Sequence, residues 1–310
     1  MEALKNKIDK FTYSNISQTY EDYDSEKAYS LIEDTEAQTS DSVCKLGNYY
    51  YRSVINDNQG NNPKTHLEQE WIGFRYSNQS AMLDSSSLSK SVVEGDDLIV
   101  EFRKGTITNL AIGYFEASSV IIEHLDEAGS VIDGFTKETY YSVNENVIDQ
   151  WSYMYEPYSA EVDRGLYIPI PPIGITIRVT FKMVTATNRA SCGFFSGGEA
   201  IIFGDTLSDV NFSFNSFATK ELNAFGGLDI VNRDVQELVD FETLIPTNQV
   251  VQLKREVKKI YNEIIVFILD PTEDSEYEHL MGLGVIQDAT VAGRFSSTKS
   301  MMSFSIMESI

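Results

Sequence analysis

The chain alternates between short runs in which every second residue is apolar and short clusters of Gly, Pro, Asn and Asp. The clearest run is ITIRVTFKMV at residues 175 to 184. It places Ile175, Ile177, Val179 and Phe181 on one side and Thr176, Arg178, Thr180 and Lys182 on the other, the period of a strand with one wet face. Similar runs lie in VVEGDDLIVEF, TNLAIGYFEA, SSVIIEHLDEAGSVIDGFTKETYY, WSYMYEPYSAEV, GLYIPI and SCGFFSGGEAIIFG. Turn signals separate them about every ten residues, which predicts an all-β sandwich over residues 76 to 203. Pro169, Pro171 and Pro172 mark an edge or a loop, because proline cannot donate to a ladder. Gly193, Gly197 and Gly198 read as turns between strands.

Residues 204 to 310 have a different rhythm. SDVNFSFNSFATKEL and VNRDVQELVDFETLI read as strands around Phe225-Gly226-Gly227. NQVVQLKREVKKIYNE follows with Val250, Leu253, Val257 and Ile260 at helical spacing and Lys254, Arg255, Lys258 and Lys259 on the other face. Thr247 or Asn248 is the expected cap. EIIVFILD then reads as a buried strand, and HLMGLGVIQDATVAGR and SSTKSMMSFSIMESI as two closing strands. The fold expected is mainly β, in three folded units behind an acidic segment. Residues 1–40 are that acidic N-terminal arm, residues 41–75 a small β unit, 76–203 the sandwich, and 204–310 a strand-strand-helix-strand-strand domain. The arm is expected either to be solvated or to order on a neighbouring subunit, with Tyr20, Tyr23 and Tyr29 as anchors.

The small unit is the most unusual part. DSVCKLGNYYYRSVI forms two strands around Leu46-Gly47-Asn48, NDNQGNNP is a punctuated loop, and EQEWIGF is a strand carrying Trp71. A unit of this size has little to bury besides its own aromatic rings. Those rings are therefore expected to pack the unit from within.

Composition narrows the range of functions. With 47 acidic against 24 basic residues the net charge is -23, which repels nucleic acid and anionic membrane surfaces. No apolar run reaches the length of a membrane helix, and MEALKNKIDKFTYSN lacks an apolar signal-peptide core. Neither nucleic acid nor membrane insertion is expected, and synthesis in the cytoplasm is. The two cysteines, Cys44 and Cys192, are far apart with apolar neighbours and read as free buried thiols. The chemical vocabulary is poor. His66, His124 and His279 fall in three different regions, and no phosphate loop, nucleophile elbow or zinc-ligand spacing occurs. Asp96-Asp97, Glu221 with Asp229, and Glu273-Asp274 are carboxylate pairs only by proximity in sequence. The acidic loop DPTEDSEYEH at 270 to 279 lacks the ordered spacing of a calcium loop. No catalytic residue, metal site or cofactor is assigned.

Residues 41 to 71 resemble the type 5/12 carbohydrate-binding module, a small β unit also seen in phage virion proteins. The likeness rests on Val43, Leu46-Gly47-Asn48-Tyr49-Tyr50-Tyr51-Arg52-Ser53, Asn58-Gln59-Gly60-Asn61-Asn62-Pro63 and Trp71. It departs from that pattern in its acidic approach and missing Tyr-Gly opening. In chitin-binding members exposed aromatics stack on sugar rings, and Tyr50, Tyr51 and Trp71 are the matching positions. NLAIGYFEASSVIIEH, WSYMYEPY (151 to 158) and the SCGFFSGGEAIIFGDT border resemble structural proteins of tailed phages and prophages. There the sandwich is similar to a jelly-roll, galactose-binding-like domain, and the last hundred residues to the split-barrel domains of tail-tube and distal-tail proteins. The resemblance implies a non-enzymatic tail- or neck-associated virion component, made in the host cytoplasm. Its partners would be tail, portal/adaptor or fibre subunits, and further copies of itself. It leaves open a receptor-recognition module binding cell-surface glycan and, as a third alternative, a polysaccharide depolymerase.

Overall fold

The structure is a computed structural model. It describes residues 2–4, 11–14, 20–31, 41–84, 86, 89–140, 165–207, 210–222, 228–231, 235–269, 281–294 and 298–309. The segment WSYMYEPY, His279 and the 270 to 279 loop lie outside them.

The chain is mainly β. Its first two strands, β1 (Glu2–Leu4) and β2 (Phe11–Ser14), do not pair with each other. Ala3 is buried in the C-terminal sheet, while Tyr13 lies opposite Val100 in the sandwich. The small unit is an antiparallel meander of β3 (Val43–Leu46), β4 (Tyr49–Ser53) and β5 (Trp71–Tyr76). The β3–β4 turn needs Gly47, whose φ is +68°, a conformation costly for residues with a Cβ.

The sandwich contains β6 (Ser91–Glu94), β7 (Leu98–Arg103), β8 (Asn109–Gly113), β9 (Ser119–Leu125), β10 (Lys137–Tyr140), β11 (Gly165–Pro169), β12 (Thr176–Phe181), β13 (Arg189–Cys192) and β14 (Phe194–Gly198). One layer has the order β10-β9-β12-β7-β2; the other is β11-β8-β14 with the β13–β6 ribbon. The chain steps repeatedly from one layer to the other, so the two layers form a β-sandwich. β12 follows its sequence pattern: Ile177, Val179 and Phe181 are fully buried, while Arg178 turns outward to bond Glu101 at 2.6 Å and reaches Glu123 at 3.5 Å.

Gly197 and Gly198 are not turns. They lie within β14, opposite Leu110 and Asn109, and Gly193 alone sits between β13 and β14. The physical reason is that β14 is buried on both faces. Phe195 enters the sandwich core, whereas its neighbour Phe194 packs with Ala111 against Val266, Ile268 and Leu283 of the C-terminal unit. The three-stranded sheet is thus a wall shared by two cores, and Ser196, Gly197 and Gly198 are small enough to permit the close approach.

The C-terminal unit holds β15 (Ala200–Ile202), β16 (Asp205–Thr206), β17 (Asn211–Ser216), β18 (Thr219–Leu222), β19 (Leu228–Val231), β20 (Val235–Pro246), α1 (Val250–Ile260), β21 (Ile264–Ile268), β22 (Met281–Arg294) and β23 (Lys299–Glu308). An eight-stranded sheet, β15-β1-β21-β22-β23-β20-β16 with β17 also on β20, curls as a half-barrel. Leu253, Val257 and Ile260 of α1 pack on Phe203, Phe241, Phe304 and Ile306. The helix begins differently from the sequence expectation. A 3-10 turn, Thr247–Gln249, leads into it, without a side-chain cap. Thr247 is held instead by the strand it faces, its amide donating to the Thr298 carbonyl at 2.9 Å and its hydroxyl lying 3.1 Å from that of Ser300.

Candidate functional site

Trp71 and Tyr50 are buried, and they lie on opposite faces of the small meander. Trp71 has no exposed surface. Its ring meets Tyr29 edge-on at 5.1 Å and Tyr23 at 6.0 Å, with Cys44 in the same cluster. Its indole N–H donates to the Asn61 carbonyl at 2.8 Å. The Asn-rich loop exists to make this possible. Asn58 exchanges both backbone hydrogen bonds with Tyr29, and its amide donates to Ser53 Oγ at 2.9 Å and to the Glu70 carbonyl at 3.0 Å. Tyr23 and Tyr29 are anchors, but of their own chain: they lid the Trp71 face. Burial raises the Tyr23 and Tyr29 hydroxyl pKa values and pushes the Cys44 thiol up to about 12. The Cys192 thiol is raised by the same cause, and both cysteines are free. A neutral buried thiol behaves as a small apolar side chain.

On the other face Tyr50 meets Tyr20 edge-on at 5.1 Å and stacks on Phe74 at 6.3 Å. The Arg75 guanidinium lies 5.5 Å from the Tyr50 ring and 5.7 Å from Tyr20, within cation–π range.

Of the three residues matched to sugar-stacking positions, only Tyr51 keeps an accessible ring, being half-buried. It lies 5.6 Å from Tyr49, which in turn meets Tyr76 at 4.9 Å. This half-open trio is an aromatic surface of the unit. Gly73 is what allows it, since a Cβ there would come within 2.8 Å of the Tyr49 ring. Tyr49 and Tyr76 were not singled out from the sequence. The signal was the i, i+2 step from Tyr51 back to Tyr49, whose cross-strand partner is Tyr76.

Several other polar groups have structural partners. Asp97 bonds Lys182 at 2.7 Å and accepts the Met183 amide at 2.9 Å. Glu221 and Asp229 are opposite each other in the β18–β19 pair. Among the described residues no three His, Cys, Asp or Glu side chains are grouped to hold a metal, and no helix is long and apolar enough to cross a membrane. His66 bonds locally in its loop, 2.8 Å from Thr65 Oγ1. His124 is buried at the end of β9 with Nδ1 unpartnered. Burial lowers its pKa below the ordinary 6.5, the Lys104 charge acts in the same direction, and a hydrogen bond to the Ile173 backbone partly offsets both. The unfolded chain therefore binds the proton more tightly, and the stability associated with neutral His124 is lost as pH falls below 6.5. Thermal unfolding from about pH 7.5 to about pH 5 checks this. The melting temperature of the wild type should fall more steeply than that of His124→Gln; parallel curves would refute the assignment.

A second surface stands out in the C-terminal unit. β17 pairs with β20, and β18 with β19 in a separate two-stranded sheet. All six residues of β17 are exposed. Phe214 is 67% and Phe217 51% exposed, with Phe212 and Val235 also open to solvent. At the far edge of the eight-stranded sheet, β15 is also open, and Ile202 is 63% exposed. A groove of about 660 Å³ separates that edge from α1.

Compared with known proteins, the chain matches no family model and no curated protein.

Proposed function

We propose that this chain is a non-enzymatic structural component of a tailed-phage virion, a tail, collar or fibre-attachment part located at the tail or neck. The observation that carries the reading is the β17–β20 ribbon. An exposed strand bearing Phe212 and Phe214, without the Lys, Pro or bulge that normally blunts an edge, is a template for pairing with another chain. The open β15 edge supplies a second such template. The partners proposed are further copies of the chain and tail, portal/adaptor or fibre subunits, joined by strand addition. The strongly negative charge fits a part that must not adhere to DNA. Quantitative mass spectrometry of purified particles tests the proposal. The chain should be present at a fixed copy number, and its absence from intact particles would end this reading.

The half-open Tyr49–Tyr51–Tyr76 trio favours a second reading, recognition of cell-surface glycan. Glycan-array binding abolished by Tyr51→Ala in a folded protein would support it, and an array without signal would remove it.

A further inference from the structure

The helix α1 is a charge anomaly. Val250–Ile260 holds four basic residues and one acidic one, in a chain of net charge -23. Its buried face is apolar, as described above. On the outside, Val251, Lys254, Arg255 and Lys258 follow the i, i+3, i+4, i+7 spacing that makes one stripe along a helix. Val251 is 63% exposed, and the three cations are exposed with charged ends that pair with nothing among the described residues. Among the described residues only Lys259, off this stripe, is engaged, bonding Glu256 at 2.9 Å. Carboxylates outnumber cations about two to one in the whole chain. Three adjacent cations without a carboxylate partner among the described residues form a surface complementary to the acidic remainder of the chain.

The matching surface lies in the β9–β10 connection. Glu127 and Asp133 are exposed there beside two exposed apolar side chains, Val131 and Phe135, each 39% open. Asp126 fixes the turn, its carboxylate accepting the Ala128 amide at 2.9 Å and the Ser130 amide at 2.8 Å. Among the described residues Glu127 and Asp133 have no such duty. The connection therefore offers carboxylates and apolar contacts on a preorganised turn, the counterpart of Val251 with its three cations.

We infer that the basic stripe of α1 is a docking surface for a second copy of this chain, seated on that copy's β9–β10 connection. The two patches differ, so the contact is head-to-tail, and its repetition produces a ring or a filament. This rests on the virion reading above, to which it adds an ionic contact between copies. Nucleic acid is the less suitable occupant, because three cations release few counterions while the remainder of the chain repels phosphate.

The test uses the full chain. Sedimentation and light scattering at low and high salt compare the wild type with K254E/R255E/K258E and with E127K/D133K. The wild type should associate with concentration and dissociate as salt screens the contact. Each variant should weaken association by about tenfold or more, and their mixture should associate again, because each retains one intact half. All the altered side chains are exposed, and the two variants probe the contact from opposite sides. Wild-type behaviour of the α1 variant, or a wild type that stays monomeric at every salt concentration, would overturn the inference. So would duplex DNA binding by the wild type that the α1 variant loses. Normal association of the α1 variant together with the chain's presence in particles would sink only the stripe. Stripe-dependent association with the chain absent from particles would sink only the virion reading.

Discussion

Trp71→Ala should cost the small β unit about 3–5 kcal/mol, the range for deleting a fully buried large aromatic side chain. Its indole is completely enclosed, it is the common contact of Tyr23, Tyr29 and Cys44, and its N–H satisfies the Asn61 carbonyl. Truncation removes the ring, leaves a cavity beneath residues 20 to 31, and strips a hydrogen bond from the loop that carries Asn58. A three-stranded meander has little else to spend against that loss. Hydrogen exchange should show the amides of β3, β4 and β5 losing protection while those of β12 and β23 keep theirs. Tyr51→Ala, at a half-buried ring, should cost clearly less. If Trp71→Ala instead left the unit protected, Trp71 would not be the keystone of this core.

The same residue illustrates what the sequence can reveal about a site. Strand, turn and aromatic identity were all legible in residues 41 to 76, because Gly47 and the Asn-rich loop punctuate the run. The direction of each ring was not. Three consecutive tyrosines must alternate faces, and which faces are covered depends on material outside the meander. Tyr29 covers one side and Tyr20 the other. A bulge between Tyr50 and Tyr51 further shifts the register against β5. Tyr50 and Trp71 are consequently closed to solvent, while Tyr51 keeps a half-buried ring beside Tyr49 and Tyr76.

In the fold, strands with one wet face were legible through their alternation, as in β12, and α1 through its 3.6-residue spacing. β8 and β14 were harder, since a sheet that separates two cores has no polar face and NLAIG and FFSGG show no alternation. The N-terminal strands left even less local trace. β1 completes a sheet whose other strands begin some two hundred residues later, at Ala200. β2 joins β7 of the sandwich. β1 lies between β15 and β21, so its place depends on strands far along the chain, and three or four residues cannot encode that alone. The missing cap of α1 belongs to the same class: Thr247 is committed to the Ser300 strand.

Gly204→Ala should be the most damaging small change in the C-terminal unit. Gly204 links β15 to β16 at φ +93°, where a residue with a Cβ is strained. An added Cβ would overlap the Leu244 carbonyl oxygen and lie 2.8 Å from Ile245 Cγ2. Neither can retreat easily. Leu244 is the register partner of Asp205, and Ile245 is fully buried in the core that holds Phe203. Backbone strain and overpacking together should cost about 2–5 kcal/mol. Gly105→Ala is the matched comparison. It also has positive φ, at +52°, but nothing lies within 4 Å of its added Cβ. It should therefore show the backbone part alone, about 1 kcal/mol. In calorimetry Gly204→Ala should lower the melting temperature of the C-terminal unit several-fold more than Gly105→Ala lowers that of the sandwich. Equal shifts would mean that the Leu244 carbonyl yields without cost, and that the tight β15–β16 corner does not hold the half-barrel against the shared wall.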